Sequence, residues 1–316
     1  SYQYDKYAER LDDTNFDRVE SVPGVYAEYV FNGVEQREAG DGKQKTSGFG
    51  MLAGARLDRH NEFGLIFTPR LNLKYNFTDN QILRLSAGRG LRTAQIIAEN
   101  IAVLASNRLL VVQEELNMED AWNFGMNYTQ NFDLLGKKAS FVADLYRTEF
   151  RNQVVMDMES EHGKVLFYNL DGKSFSNSLL LLGSMNVAKG LNIKLAYKLN
   201  DVQITYGFSP SGGGGGGGAL RQKPLNARHR ALATLDYETP GEKWMFNTNV
   251  QYTGKQRFAD AHHTPSVLIE NFKGDAPAYV LVNAQVTRRF KTFEVYVGGE
   301  NLTNFTQEHA IVDWEN

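Results

Sequence analysis

The chain has 316 residues, of which 42% are hydrophobic, 12% aromatic and 22% charged, a balance that excludes an unstructured segment. A net charge of −3, from 34 basic against 37 acidic residues, lacks the basic surplus of a nucleic-acid binder, so no nucleic-acid partner is expected. The absence of cysteine excludes disulfide frameworks, thiolate metal sites and cysteine nucleophiles. No apolar run approaches the roughly 18 residues of a membrane helix, so the one way for this chain to span a bilayer is a closed strand barrel. The start Ser1-Tyr2-Gln3 has neither methionine nor an apolar leader, as expected of a mature or trimmed polypeptide.

Strict apolar/polar alternation is the dominant period. A first strand from Tyr2 leads to a polar stretch at 9–22, followed by a long connection at 32–46 and a short one at 61–64. The clearest alternation sets Leu71, Leu73, Tyr75 and Phe77 against Arg70, Asn72, Lys74 and Asn76. A tight link at 78–81 and a second strand bring the chain to residues 93–107, where Ile96, Ile97, Ile101 and Leu104 fall near helical spacing and Thr93 is placed to cap a short helix. Trp122, Phe124, Met126 and Tyr128 then alternate with Asn123, Gly125 and Asn127. Residues 139–158 and 164–187 are each expected as one extended strand, the second containing four consecutive leucines at 179–182. Leu191, Ile193, Leu195 and Tyr197 oppose Asn192, Lys194 and Lys198; seven glycines follow at 212–218, a tether by composition. Near the end Phe293, Val295 and Val297 alternate with Glu294, Tyr296 and Glu300.

These segments outlast the about 5 to 6 residues of ordinary strands and suit the tilted 9 to 11 or more of a bilayer-spanning barrel. Trp122, Tyr128, Tyr237, Trp244 and Tyr252 sit toward segment ends, where an interfacial girdle belongs. Short links (78–81, 133–138, 188–190, 239–242 and around Lys291) alternate with long ones (9–22, 93–116, 207–224 and 258–277), matching the two ends of an outer-membrane barrel. The expected fold is therefore all-β: a transmembrane antiparallel barrel of which about thirteen strands are present. An odd count leaves a seam, so residues 1–316 are expected to be a portion of a barrel.

No catalytic constellation is present. The glycine run lacks the strand, helix and acidic residue of a dinucleotide fold, Phe167 stands where a phosphate loop needs glycine ahead of Gly172-Lys173-Ser174, and neither G-x-S-x-G nor H-E-x-x-H occurs. The chain is expected to be no enzyme and to carry no resident cofactor or metal. Candidate ligand contacts lie in the long loops: Gln95, Glu99, Asn100, Asn107 and Arg108 around the short helix, and Asp260, His262 and His263, the one local cluster with metal-ligand character. His60, His162 and His309 fall at strand ends or loops. Arg70, Lys74, Arg84, Arg147, Lys194 and Lys198 are expected to face the wet interior.

Phe67-Thr68-Pro69-Arg70-Leu71 followed by Leu85-Ser86-Ala87-Gly88-Arg89-Gly90-Leu91-Arg92 resembles the mid-barrel region of TonB-dependent outer-membrane receptors of the Bacteroidetes type. Glu115-Leu116-Asn117, Trp122-Asn123-Phe124-Gly125 and Leu145-Tyr146-Arg147-Thr148-Glu149-Phe150 are similar to the same family, and Gly298-Gly299-Glu300-Asn301-Leu302-Thr303-Asn304 resembles its motif near the C-terminus. The resemblance implies the C-terminal part of a plugged barrel of about 22 strands, with the plug and the final strand lying outside this chain. It also implies uptake of a scarce ligand across the bacterial outer membrane: an iron chelate or siderophore, a corrinoid or another metal complex. The implied partners are outer-membrane lipid, the ligand, and the TonB complex acting through the plug. Two other readings remain open, a passive porin or structural barrel and a soluble all-β binding module.

Overall fold

The computed structural model describes residues 1–11, 14–15, 17–38, 44–101, 108–161, 163–207, 218–259 and 275–306. Thirteen strands follow one another along a single antiparallel sheet. They are β1 (Tyr2–Tyr7), β2 (Arg18–Glu38), β3 (Gln44–His60), β4 (Gly64–Thr78), β5 (Gln81–Arg92), β6 (Glu119–Leu134), β7 (Lys137–Asn152), β8 (Ser174–Ala188), β9 (Leu191–Tyr206), β10 (His229–Glu238), β11 (Trp244–Thr253), β12 (Tyr279–Arg289) and β13 (Glu294–Gly299). Each pairs with the next, so the wall is a pure meander, with a further short strand, Ala219–Gln222, on the end of β9. The sheet is open, with β1 and β13 as its outer strands.

Register assigns every residue to a face, because directly opposed residues share one. Lys74 lies opposite Arg84, Arg84 opposite Asn127 and Asn127 opposite Asp144, so these line one face. Leu71, Leu73, Tyr75 and Phe77 line the other, where Leu65 is 73% exposed and Phe67 49%. A sheet in water would cover such a face. One that leaves it open while its second face carries amides and cations is built for lipid outside and water inside. Trp122, Tyr128, Tyr237, Trp244 and Tyr252 all lie on the apolar face.

Four expectations are corrected. Residues 139–158 do not form one strand: the ladder of β7 slips between Phe150 and Asn152, and Val154–Asp157 leaves the wall for another sheet. Residues 164–187 also divide, into Lys164–Asn169 and β8, because Gly172 at φ +136 turns the chain where a Cβ would stand 2.6 Å from Thr205 Oγ1. The connection at 32–46 is mostly hairpin arm, paired out to Glu38 opposite Gln44. Arg147 faces outward: it shares the face of Leu145, donates to Glu149 and Asn177, and lies over the Phe175 ring at 4.8 Å.

The leucine run alternates like the rest of β8. Leu179 and Leu181 face outward, while Leu180 sits inside between Asp144 and Lys198 and Leu182 between Val142 and Ala196. The tight links form as expected; at 188–190 the turn needs Gly190 at φ +77, since a Cβ there would stand 2.0 Å from the Glu238 carbonyl oxygen. Residues 212–217 of the glycine run lie outside the described residues.

Candidate functional site

The long connections build a second structure. Leu109–Val112, from the link between β5 and β6, pairs in parallel with Lys164–Asn169, from the link between β7 and β8. Val154–Asp157 completes the sheet on the other side of Lys164–Asn169. Here alternation disappears, because both faces are covered: Val165, Leu166, Phe167 and Tyr168 are all at most 1% exposed. Leu166 and Tyr168 pack with Val155 against Ile204 and Tyr206 at the end of β9, and Val165 and Phe167 pack against Ile96. Ile204 and Tyr206 share the face of Lys198, so the small sheet lies over the polar face at the end carrying the long connections.

Two buried carboxylates hold this cap together. Asp157, fully buried, accepts the backbone N–H groups of Glu159 (2.7 Å) and Ser160 (3.0 Å), the Ser160 hydroxyl (2.6 Å) and the Tyr168 phenol (2.7 Å). Burial first, and then the bond to Asp157, holds the Tyr168 phenol above its ordinary pKa. Glu159, with 3% of its side chain exposed, receives Arg221 at 3.1 Å and Arg257, which also donates to the Gln222 carbonyl at 2.7 Å. One carboxylate thus ties three connections to each other.

Between cap and wall lies a cavity of about 470 Å³. Gln95, Glu99, Asn100 and Arg108 all line it, so the structure gathers every described member of the candidate set at one site. Asn107, Asp260, His262 and His263 lie outside the described residues, as do His162 and His309. Arg92 spans the floor, bonded to Glu99 at 2.7 and 3.0 Å and to Glu119 from the next strand. The apolar part of its lining comprises Met156, Met158, Phe167, Ile204 and Phe258. Arg108 donates to the Met158 carbonyl at 3.3 Å and Asn100 to that of Ile96 at 2.8 Å. A cavity that presents both apolar and charged side chains suits an amphipathic ligand.

The helix is shorter than expected, a single turn at Ile96–Glu99. Its N-cap is Gln95, without a side-chain cap bond, and Thr93 plays no capping part; its hydroxyl is buried with no partner among the described residues. His60 is buried at the end of β3, its Nδ1 accepting the Glu62 N–H at 3.1 Å. Among the described residues no group of three or more His, Cys, Asp or Glu is placed to hold a metal. Arg92, Glu119, Glu159 and the apolar lining were not singled out from the sequence. The one local signal was the unbroken run Val165-Leu166-Phe167-Tyr168, which marks a strand covered on both faces.

Fold and site together define the wall of an outer-membrane β-barrel with a loop-built cavity over its hydrated face. The model of the family described as TonB dependent receptor-like, beta-barrel matches residues 2–302, and the chain belongs to that family. The family consists of bacterial outer-membrane transport receptors, not enzymes. A mutant of the ferric enterobactin receptor PfeA from Pseudomonas aeruginosa is similar in structure (TM-score 0.56, 12% identity), the match covering 92% of this chain and 40% of that one. The ferric citrate transporter FecA in its unliganded form matches with TM-score 0.53 and 15% identity over 93% and 42% of the two chains. The ferric-catecholate import receptor Fiu from E. coli K12 matches with TM-score 0.53 and 12% identity over 95% and 49%. At these identities the likeness is one of fold, and the chain spans 40 to 49% of the length of those structures. No curated protein matches the chain.

Proposed function

We propose that this chain supplies wall and mouth of a receptor that imports a scarce ligand across the outer membrane with energy delivered by TonB. The ligand class is a metal complex: an iron chelate, a corrinoid or a related compound. The observation that carries the reading is the mouth cavity, whose lining brings Gln95, Glu99, Asn100 and Arg108 together with Met156, Met158 and Phe167. Further support comes from the fold neighbours, named as receptors or transporters of ferric enterobactin, ferric citrate and ferric catecholates. In this reading the cavity captures the ligand, the polar face lines its route, and TonB acts through a plug outside this chain. Asn107, Asp260, His262 and His263 belong to the proposed ligand contacts.

The test is uptake by cells expressing the full-length receptor of iron-55 supplied as ferric enterobactin or ferric citrate, and of radiolabelled cobalamin in parallel. Combined substitution Glu99→Gln and Arg108→Gln is expected to weaken binding of the accepted complex by about tenfold or more while leaving receptor abundance unchanged. Energy-independent uptake, or a large constitutive pore in single-channel recordings of the intact receptor, would replace this reading by that of a passive porin.

A further inference from the structure

On the hydrated face of the wall most cations sit beside a carboxylate. Arg70 bonds Glu28, Lys194 lies 3.8 Å from Asp236, Arg92 joins Glu99 and Glu119, and Arg289 bonds Glu294. Lys74, Arg84, Lys198 and Arg230 have no such partner among the described residues. Register puts these four in one row. Lys74 is directly opposite Arg84 and Lys198 directly opposite Arg230, with Asn127, Asp144 and Leu180 between the pairs. Arg84 donates to the Asn127 amide oxygen at 2.9 Å, and the Asn127 amide N–H donates to Asp144, so the single carboxylate of the row is held by an amide.

Like charges directly opposed on antiparallel strands repel. Two such pairs in one row, in a chain of net charge −3, are not a by-product of a basic composition. The wall is also hollowed beside the first pair. A recess of about 450 Å³ there is lined by Lys74, Arg84, Asn32, Ser86 and the backbone of Gly50 and Gly125. Over Gly125 the space is taken by its neighbours, since a Cβ there would stand 2.4 Å from Ser86 Oγ and 2.5 Å from the Tyr146 ring, and both side chains join the lining. An ammonium and a guanidinium therefore stand at the rim of a recess that the wall leaves open.

We propose that this row is an oxyanion site: the Lys74–Arg84 pair over its recess, and the Lys198–Arg230 pair about 19 Å further along the sheet, hold carboxylate- or phosphate-type oxygens. A guanidinium fork beside an ammonium matches that chemistry, and an anion removes the repulsion within each pair. The oxygens have two sources, an acidic side chain of polypeptide occupying the hollow or an anionic ligand in transit. The inference rests on the two-faced wall and not on the mouth cavity, so it can fail or stand independently of the uptake reading.

The test titrates the full-length receptor in detergent with inorganic phosphate by calorimetry at about 10 mM ionic strength, where screening is weak. Wild type is compared with Lys74→Gln/Arg84→Gln, with the quadruple variant that adds Lys198→Gln/Arg230→Gln, and with the charge-keeping swap Lys74→Arg/Arg84→Lys. Phosphate binding that falls about tenfold in the double variant, is lost in the quadruple and survives the swap supports the site with a mobile anion as its occupant. A wild type silent to phosphate, whose melting temperature drops in the quadruple variant but not in the swap, supports the site with the receptor's own carboxylates as occupant. Binding unchanged in the quadruple variant overturns the proposal, as does the absence of binding together with an unchanged or raised melting temperature.

Discussion

The wall and the mouth are built on opposite principles. In the wall, β4 to β7 bury almost nothing: Leu65, Phe67, Phe77 and Leu145 remain open on one face, and Arg70, Lys74 and Arg84 on the other. Its cohesion comes from the backbone ladder, and its faces are finished by two solvents, hydrocarbon and water. The mouth is a small globular assembly with a dry interior of Val155, Val165, Leu166, Phe167 and Tyr168, assembled from connections far apart in sequence. The contrast teaches that one chain here obeys two burial codes. Apolar residues mean lipid in the wall and core in the mouth.

The strongest way to break this comparison is Phe167→Ala. Emptying a fully buried aromatic position costs about 3–5 kcal/mol, and the loss is expected to stay in the mouth. Hydrogen exchange of the intact receptor should show residues 109–112, 154–157 and 164–169 losing protection while β4 to β7 keep theirs. If the wall loosens as well, the two regions form one cooperative unit and the contrast fails.

A neighbouring pair in β4 sharpens the wall half. Leu71→Arg, on the lipid face, is expected to destabilise by about 2–4 kcal/mol near mid-bilayer, whereas Asn72→Arg, one residue on and facing water, should stay within about 0.5 kcal/mol. Denaturant unfolding from lipid vesicles reads both, and equal effects would remove the assignment of faces. Next in size is Asp157→Asn, which keeps the shape but replaces an anionic acceptor of two N–H groups and two hydroxyls by an amide. A cost of about 1–3 kcal/mol is expected, again confined to the mouth, measured by exchange protection of Tyr168 and its neighbours.

The smallest effect concerns alkaline pH. The folded Tyr168 phenol titrates above its ordinary value of 10.0, so the unfolded mouth gives up that proton first. The sign follows: the stabilisation from the neutral phenol is complete below pH 10 and declines as pH rises through 10 toward the folded value. Mouth protection should fall over that range and the fall should vanish in Tyr168→Phe. A decline that persists in the Phe variant would assign it to another group.

Much of the wall was legible. Leu71, Leu73, Tyr75 and Phe77 against Asn72, Lys74 and Asn76 state their two faces outright, and the tight links at 78–81 and 188–190 close where turn chemistry says they must. Arg147 was misplaced because polarity was taken to mean water inside, while on the outer face this arginine finds Glu149, Asn177 and the Phe175 ring. At the mouth, Gln95, Glu99, Asn100 and Arg108 were expected together from their loop and do line one cavity, but Arg92 and Glu119, which line it too, were hidden inside strands. Nothing local distinguishes a wall arginine from one that bridges two carboxylates at a cavity floor.

Period-two patterning told which residues lie on which face and roughly how many strands there are, because face and register are local consequences of strand geometry. Where β7 and β8 leave the wall was not local. The separate strand Val154–Asp157, its partnership with Lys164–Asn169 and the parallel seat of Leu109–Val112 depend on segments that meet in space without being neighbours in the chain. The cavity depends on the same meeting, since Gln95 and Arg108 come from one connection, Met156 and Met158 from another and Phe258 from a third. Apolar runs of identical composition go to lipid or to a dry core according to what packs over them, and only the folded molecule holds that information.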